Sequence, residues 1–263
     1  MPTPLEILLD PISLGVLAMY AAMMLWEAIA PARKLPKISG WIPRALGSFA
    51  VYFYLSSYLP LLWDGYLSQY QLLDLSHLSA VTGAMVGLLV YNALLYGWHR
   101  LMHESDTLWR VFHQMHHSAE RIDTFGAFYF SPIDMFGFTL LGSLALTLSV
   151  GLSPAAVTLF LFAAMFFGIF QHANVNTPQW LGYFIQRPES HTIHHGRGLH
   201  RYNYADLPIF DILFGTFRNP EGYEMEAGFY DGASARIADM LLLRDIAEAP
   251  SGVEADHVVS KAA

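Results

Sequence analysis

The chain has 263 residues, 54% of them hydrophobic and only 14% charged, against roughly 25% charged in an ordinary soluble domain. That balance points to a membrane protein, and a net charge of −8 argues against a nucleic-acid partner, because phosphate binding needs clustered Lys and Arg. With no cysteine in the chain, disulfides, thiolate zinc sites and Cys-ligated iron–sulfur clusters are excluded.

The first apolar run, residues 12–30, has no basic region before it and no small-residue exit after it. It reads as a retained anchor, with Glu27 near its end snorkelling to the interface. Residues 45–63 and 78–98 follow. Each run of about 20 residues is long enough to cross roughly 30 Å of hydrocarbon. Two shorter runs, 135–150 and Pro154–Phe170, form a helical hairpin, because Ser153 before Pro154 is a cap residue followed by Pro at the first helical position. All fourteen Lys and Arg residues fall on alternate sides of this arrangement. Arg33, Lys34, Lys37 and Arg44 follow the first run, Arg100, Arg110 and Arg121 follow the third, and seven lie beyond Phe170. The positive-inside rule makes that side cytosolic. The expected fold is all-α: a multi-pass membrane helical bundle of three spans plus a hairpin, with a cytosolic histidine-rich cap. Residues 1–98 hold the spans, 99–218 the histidine domain with the hairpin 135–170, and 219–263 a C-terminal part. In that part 233–248 reads as an amphipathic helix with Ile237, Met240, Leu241 and Ile246 on one face, and the tail after Pro250 reads as disordered.

Ten of the twelve histidines lie from His99 to His200. His99 and His103 form H-x-x-x-H directly after the third span. His113, His116 and His117 form H-x-x-H-H, and His191, His194 and His195 repeat it. Residues three and four apart share a helix face, so each cluster aims two or three imidazoles the same way. His172 follows the hairpin. A lone histidine is ordinarily a satisfied surface residue, and His77 and His257 are read so, but two such triplets beside an H-x-x-x-H on one membrane side are a metal-ligand pattern. Nine imidazoles exceed one tetrahedral site, and imidazole suits iron, zinc, copper and nickel alike. His200, Asn203, Asp206 and Asp211 lie near the last cluster, and Asn92 shares the His99 face. They are candidates for fixing imidazole tautomers from behind, although Asx residues are also common in turns. The clusters stand at the ends of apolar helices. That suits a substrate arriving from the bilayer through a cavity between the third span and the hairpin, with Asn92, Leu95, Tyr96 and residues 162–170 in its wall.

The set as a whole resembles the fatty acid hydroxylase / sterol desaturase superfamily of integral-membrane di-iron enzymes. The matching stretches start His99-Arg100-Leu101-Met102-His103, then run from Leu108 through His113-Gln114-Met115-His116-His117 to Ser118. His172-Ala173-Asn174 and His191-Thr192-Ile193-His194-His195 follow, and Asn203-Tyr204-Ala205-Asp206 and Phe210-Asp211-Ile212-Leu213-Phe214-Gly215-Thr216-Phe217 close the series. The likeness covers roughly residues 95–218. One stretch departs from it: where many members carry an R-x-H-P-like sequence, this chain reads Phe128-Tyr129-Phe130-Ser131-Pro132-Ile133-Asp134. The resemblance implies two iron ions, O2 as oxidant, and His99, His103, His113, His116, His117, His172, His191, His194 and His195 as ligands. It further implies hydroxylation or desaturation of a lipid such as a sterol or fatty acyl chain, with electrons from a separate donor protein. A bacterial inner membrane is the preferred location and an ER membrane the alternative. The rival readings are a metal transporter, whose ligands belong near the bilayer midplane, and a zinc-dependent lipid hydrolase, although H-E-x-x-H is absent.

Overall fold

Apolar length and helix punctuation together set the architecture. The computed structural model describes residues 1–249, so the expected disordered tail and His257 lie outside the described residues. Twelve α-helices and no strands occur among them: α1 Pro4–Leu9, α2 Pro11–Ile29, α3 Trp41–Tyr58, α4 Pro60–Leu67, α5 Ala80–Glu104, α6 Asp106–Leu108, α7 Gln114–His117, α8 Pro132–Ser143, α9 Pro154–Phe170, α10 Pro188–His194, α11 Ile209–Leu213 and α12 Ile237–Leu241. Asp10, Ser79, Ser131 and Ser153 each cap the helix that follows by accepting from a backbone N–H of its first turn. Pro stands at the start of α2, α8 and α9, where its missing N–H costs nothing. Four stretches are long and apolar enough to cross a membrane: Pro11–Ile29, Trp41–Tyr70, Ala80–Glu104 and Pro132–Val150; α9 is a shorter apolar helix. α8 runs on as a π-helical turn, Leu144–Val150, and the hairpin reverses at Gly151, whose φ of 50° favours glycine.

Small residues let the two central helices meet. A Cβ on Gly83 would stand 2.8 Å from the Ala156 Cβ, and one on Gly87 2.8 Å from Leu152 Cδ1. The Gly83-x-x-x-Gly87 spacing thus brings α5 against α9, as small residues do between membrane helices. Tyr20, Phe49, Phe128, Ile169 and Phe170 form one buried cluster linking α2, α3 and α9. A second cluster of Trp41, Ala45, Met115, Tyr129, Met240 and Ile246 ties the base of α3 to the C-terminal segment.

Two expectations need correction. Glu27 does not snorkel. It is buried, and its Oε2 accepts from the Thr124 N–H at 2.8 Å, the Thr124 hydroxyl at 2.7 Å and the Asn174 N–H at 3.1 Å. Three donors fixed by the fold hold the carboxylate better than an interfacial position would. The amphipathic helix expected over 233–248 is short: a 3-10 turn, Ala233–Ala235, precedes α12, and the chain leaves the helix at Leu243, whose φ is 58°. Met240 and Ile246 are buried as expected, whereas Leu241 is exposed.

Candidate metal centre

Four segments deliver the imidazoles. His99 and His103 sit one turn apart at the end of α5. The first triplet lies where a π turn, Trp109–His113, passes into α7; such turns recur at functional sites. His172 follows the end of α9. The second triplet is carried by α10 and its C-cap, His195. The start of α10 is fixed by Arg187, which is wholly buried. Its guanidinium donates to Thr177 Oγ1 at 2.9 Å, the Thr177 carbonyl at 2.8 Å, Asn219 Oδ1 at 2.7 Å and the Pro220 carbonyl at 2.9 Å, and it pairs with Glu189 at 3.1 Å.

The nine histidines fall into two groups. His99, His103, His113, His117 and His194 form one, and His116, His172, His191 and His195 the other; within each group, one ring nitrogen per residue lies within 4.8 Å of the rest. The expectation that each cluster aims its imidazoles one way is thereby refined. Each H-x-x-H-H triplet gives its i,i+4 pair to one group and its middle histidine to the other. His113 and His117 join the first group and His116 the second, whereas His191 and His195 join the second and His194 the first. His117 and His195 stack across the boundary with ring centroids 4.1 Å apart.

Four of the rings turn Nδ1 toward a fixed acceptor. Nδ1 of His99 donates to the Tyr204 carbonyl at 2.7 Å, and Nδ1 of His113 is held by the Asp134 carboxylate at 2.9 Å. Nδ1 of His172 donates to the Gly168 carbonyl at 2.7 Å, and Nδ1 of His194 to the Tyr202 carbonyl at 2.7 Å. A neutral ring that donates from Nδ1 presents a lone pair at Nε2. Nε2 atoms face one another inside the groups. His99 and His113 meet Nε2 to Nε2 at 2.9 Å, His116 and His172 at 3.1 Å, His172 and His191 at 3.0 Å, and His191 and His195 at 3.1 Å. Nε2 of His103, His117 and His194 is buried with no partner among the described residues. Two ligand nitrogens about 2.1 Å from one ion and at right angles about it are about 3 Å apart. Ring nitrogens facing one another at this spacing fit a bound cation in each group.

Protonation points the same way. Burial, and then the neighbouring imidazoles, push His113, His116, His117, His191, His194 and His195 well below the ordinary imidazole range. Burial pushes His172 down to about 4. The rings are neutral at pH 7, as ligation requires.

A cavity of about 460 Å³ ends on these rings, within the range of small-molecule sites. His99, His113, His116, His172 and His191 close one end, and Ile12, Ser13, Pro60 and Asp64 line the other. Along α9 it runs from Val157 to Gln171 and on to His172, about 22 Å at 1.5 Å per residue. Its wall includes Leu95, Ala164, Met165 and Gly168, as expected, but α2, α3 and α8 contribute as well. Asn92 and Tyr96 do not line it. Tyr96 is buried and stacks on Phe214 instead, with ring centroids 5.0 Å apart.

Of the residues expected to orient imidazoles, His200 does so: its Nδ1 lies 3.2 Å from Nδ1 of His117. The others touch no imidazole, and Asn92, Asp211 and Asn203 act on backbone instead. Asn92 Oδ1 accepts from the Leu207 N–H. Asp211 accepts from the N–H groups of Tyr204 and Ala205, and so shapes the loop whose carbonyl holds His99. Asn203 donates to the carbonyls of Ser190 and Arg218. Asp206 accepts from Gln171 Nε2 at 3.3 Å and touches no imidazole. Sequence reasoning missed Asp134, Arg187 and Gln186, whose amide meets His191 Nδ1 at 3.0 Å. Asp134 could have been found, because a carboxylate in the first turn of an apolar span asks for a partner. The carbonyls of Gly168, Tyr202 and Tyr204 leave no side-chain signal.

The fatty acid hydroxylase family model matches residues 84–216, a stretch that contains all nine grouped histidines. An ornithine lipid hydroxylase of Rhizobium tropici is 37% identical over 141 residues, 52% of this chain and 42% of that protein. A sphingolipid C4-hydroxylase of Saccharomyces cerevisiae is 32% identical over 145 residues, covering 52% of this chain and 40% of its own. The alkylglycerol monooxygenase of Homo sapiens is 31% identical over 128 residues, or 46% and 27% of the two chains. The matched stretch spans less than half the length of each of these relatives. No solved structure matches the chain.

Proposed function

We propose that this chain, which belongs to the fatty acid hydroxylase family within the fatty acid hydroxylase / sterol desaturase superfamily, is an oxidoreductase that uses O2 to hydroxylate a C–H bond of a bilayer lipid. The observation that carries the reading is a mostly apolar cavity about 22 Å long that ends on two groups of inward-facing imidazoles. His99, His103, His113, His117 and His194 would hold one iron ion, and His116, His172, His191 and His195 a second. Iron so held supplies the O2-dependent redox chemistry that C–H oxidation needs and zinc lacks. The protein's own part is to fix the ligands and place the lipid. Asp134 and the carbonyls of Tyr204, Tyr202 and Gly168 lock tautomers and ring orientation. Phe130, Phe138 and Leu95 keep the cavity beside the imidazoles apolar, so that water is excluded around the reacting carbon.

The lipid-hydroxylase names of the relatives support a lipid substrate. The distribution of Lys and Arg supports a histidine end in the cytosol, in a bacterial inner membrane by preference, with electrons delivered by a separate protein. Nothing in the geometry favours a zinc hydrolase, since catalytic zinc keeps three protein ligands and an open position and these groups offer five and four. The test is lipid profiling of host membranes with and without the protein, beside metal analysis of the purified chain. Two irons per chain and a new hydroxylated lipid are expected. Zinc in place of iron with an unchanged lipid profile would overturn the proposal.

A further inference from the structure

The cavity's inner end carries a polar pair that the histidine chemistry does not use. Asp206 is buried and lines the cavity beside Gln171, Gln186 and the rings of His172 and His191. Its Oδ1 takes one long hydrogen bond, 3.3 Å from Gln171 Nε2, and its Oδ2 accepts none among the described residues. A carboxylate can accept about four. Gln171 Oε1 is likewise buried without a partner. Gln186, by contrast, is occupied, because its amide nitrogen donates to the Asn203 carbonyl at 2.7 Å and meets His191 Nδ1. Asp206 and Gln171 thus present two unpartnered acceptors to the cavity with no cation lining it among the described residues, and the hydroxyls of Tyr52 and Tyr91, which can donate or accept, line the same space.

Resting on the lipid-oxidation reading, we propose that Asp206 and Gln171 form a positioning site for a hydrogen-bond donor on the substrate. The lipid then carries a hydroxyl, amide N–H or amine within a few bonds of the oxidised carbon. Gln171 is adjacent in sequence to His172, so a group held there stands beside the four-histidine group. The tail then extends along α9 past Ala164 and Phe160 toward Val157. Burial pushes Asp206 up to about 7, so at higher pH a carboxylate or phosphate at this position would meet a second anion and be repelled. The site thus selects amino-alcohol, amide-linked or hydroxylated lipids over free fatty acids, and places oxidation near the polar end.

The test uses the full, iron-loaded chain in nanodiscs and three probes of one chain length: 1-hexadecanol, its methyl ether and palmitate. Binding is measured directly, without turnover. At about pH 8.5, where Asp206 is ionised, a hydrogen bond to a charged acceptor makes the alcohol bind about tenfold tighter than the ether, with palmitate weakest. Asp206→Leu brings the alcohol-to-ether ratio to about one while ether binding stays unchanged, and Asp206→Asn, which keeps an acceptor, restores part of the ratio. Equal binding of alcohol and ether by the unaltered chain overturns the proposal, as does an unchanged ratio in Asp206→Leu or a preference for palmitate. Ether binding and iron content report whether the Leu variant is folded; if it is not, Gln171→Leu and the probe comparison on the unaltered chain decide. If none of the three probes binds the unaltered chain, the lipid-cavity reading itself fails.

Discussion

The two histidine groups are built alike but supported differently. The five-histidine group is held from behind at almost every ring. Carbonyls take His99 and His194, a buried carboxylate takes His113, and His200 backs His117. Trp109 adds a wall, with ring centroids 5.0 Å from both His103 and His117. The four-histidine group has fewer supports, the Gly168 carbonyl behind His172 and the Gln186 amide beside His191. Three of its four rings line the cavity, against two of five in the other. The difference separates a braced site from one exposed to substrate. It suggests that metal retention is dominated by the first and substrate response by the second.

The comparison can be broken most directly at one ligand in each group. His194→Ala and His116→Ala should each abolish lipid oxidation and reduce iron from two to about one per chain, as counted by elemental analysis, with membrane insertion intact because it depends on the apolar runs. Loss of both ions from either variant would show that the groups do not fill independently.

The next effect concerns acid. Burial holds His172 at about 4 against an ordinary 6.5. Above pH 6.5 the ring is neutral in both the folded and the unfolded chain. As pH falls from there the unfolded chain takes up a proton that the fold refuses. Stability is therefore full above about 6.5 and declines progressively toward pH 4, by about 3 kcal/mol for this ring alone. Thermal melting of the chelator-treated protein across that window checks it, and a flat profile would show that the ring is solvated in the metal-free state.

Asp134→Asn should weaken iron binding by about 10–100-fold, the usual effect of losing a group that orients a ligand. Gln186→Leu should weaken it less and alter substrate binding more. Competition with a calibrated chelator measures the first and lipid binding the second; equal iron losses would erase the proposed asymmetry. His200→Ala should have the smallest effect, a loss of iron affinity no larger than about tenfold, visible in the same competition.

Much of this was legible in the residues themselves. Caps and prolines gave α9 its start at Pro154, and apolar length gave the starts of the long helices to within about four residues, although α5 runs on to Glu104 and the expected run 45–63 is divided between α3 and α4. Spacing gave the nine histidines but not their partition. Successive helical residues point about 100° apart, so His116 and His117 diverge into different groups, and only the relative placement of α5, α7, α9 and α10 shows which group each joins. The supports behind the rings were less legible still. Two of them are carbonyls of the loop in which His200, Tyr202 and Asn203 adopt φ values of 42°, 72° and 51°. Non-glycine residues are held there only by their surroundings, and a carbonyl's direction has no side-chain signature.

The matched family segment begins at residue 84, yet Ile12, Val16, Tyr52 and Phe53 of the first two long helices also wall the cavity. Glu27 and Trp41 bind the first two long helices to the histidine-bearing segments, through Thr124, Asn174 and Asp123. The reactive centre is therefore encoded in the matched segment, whereas the space that measures the substrate's tail is shared between that segment and the first two long helices. A chimera that takes residues 84–263 from this protein and its first two helices from a relative would keep the chemistry and inherit the other parent's preference for tail length.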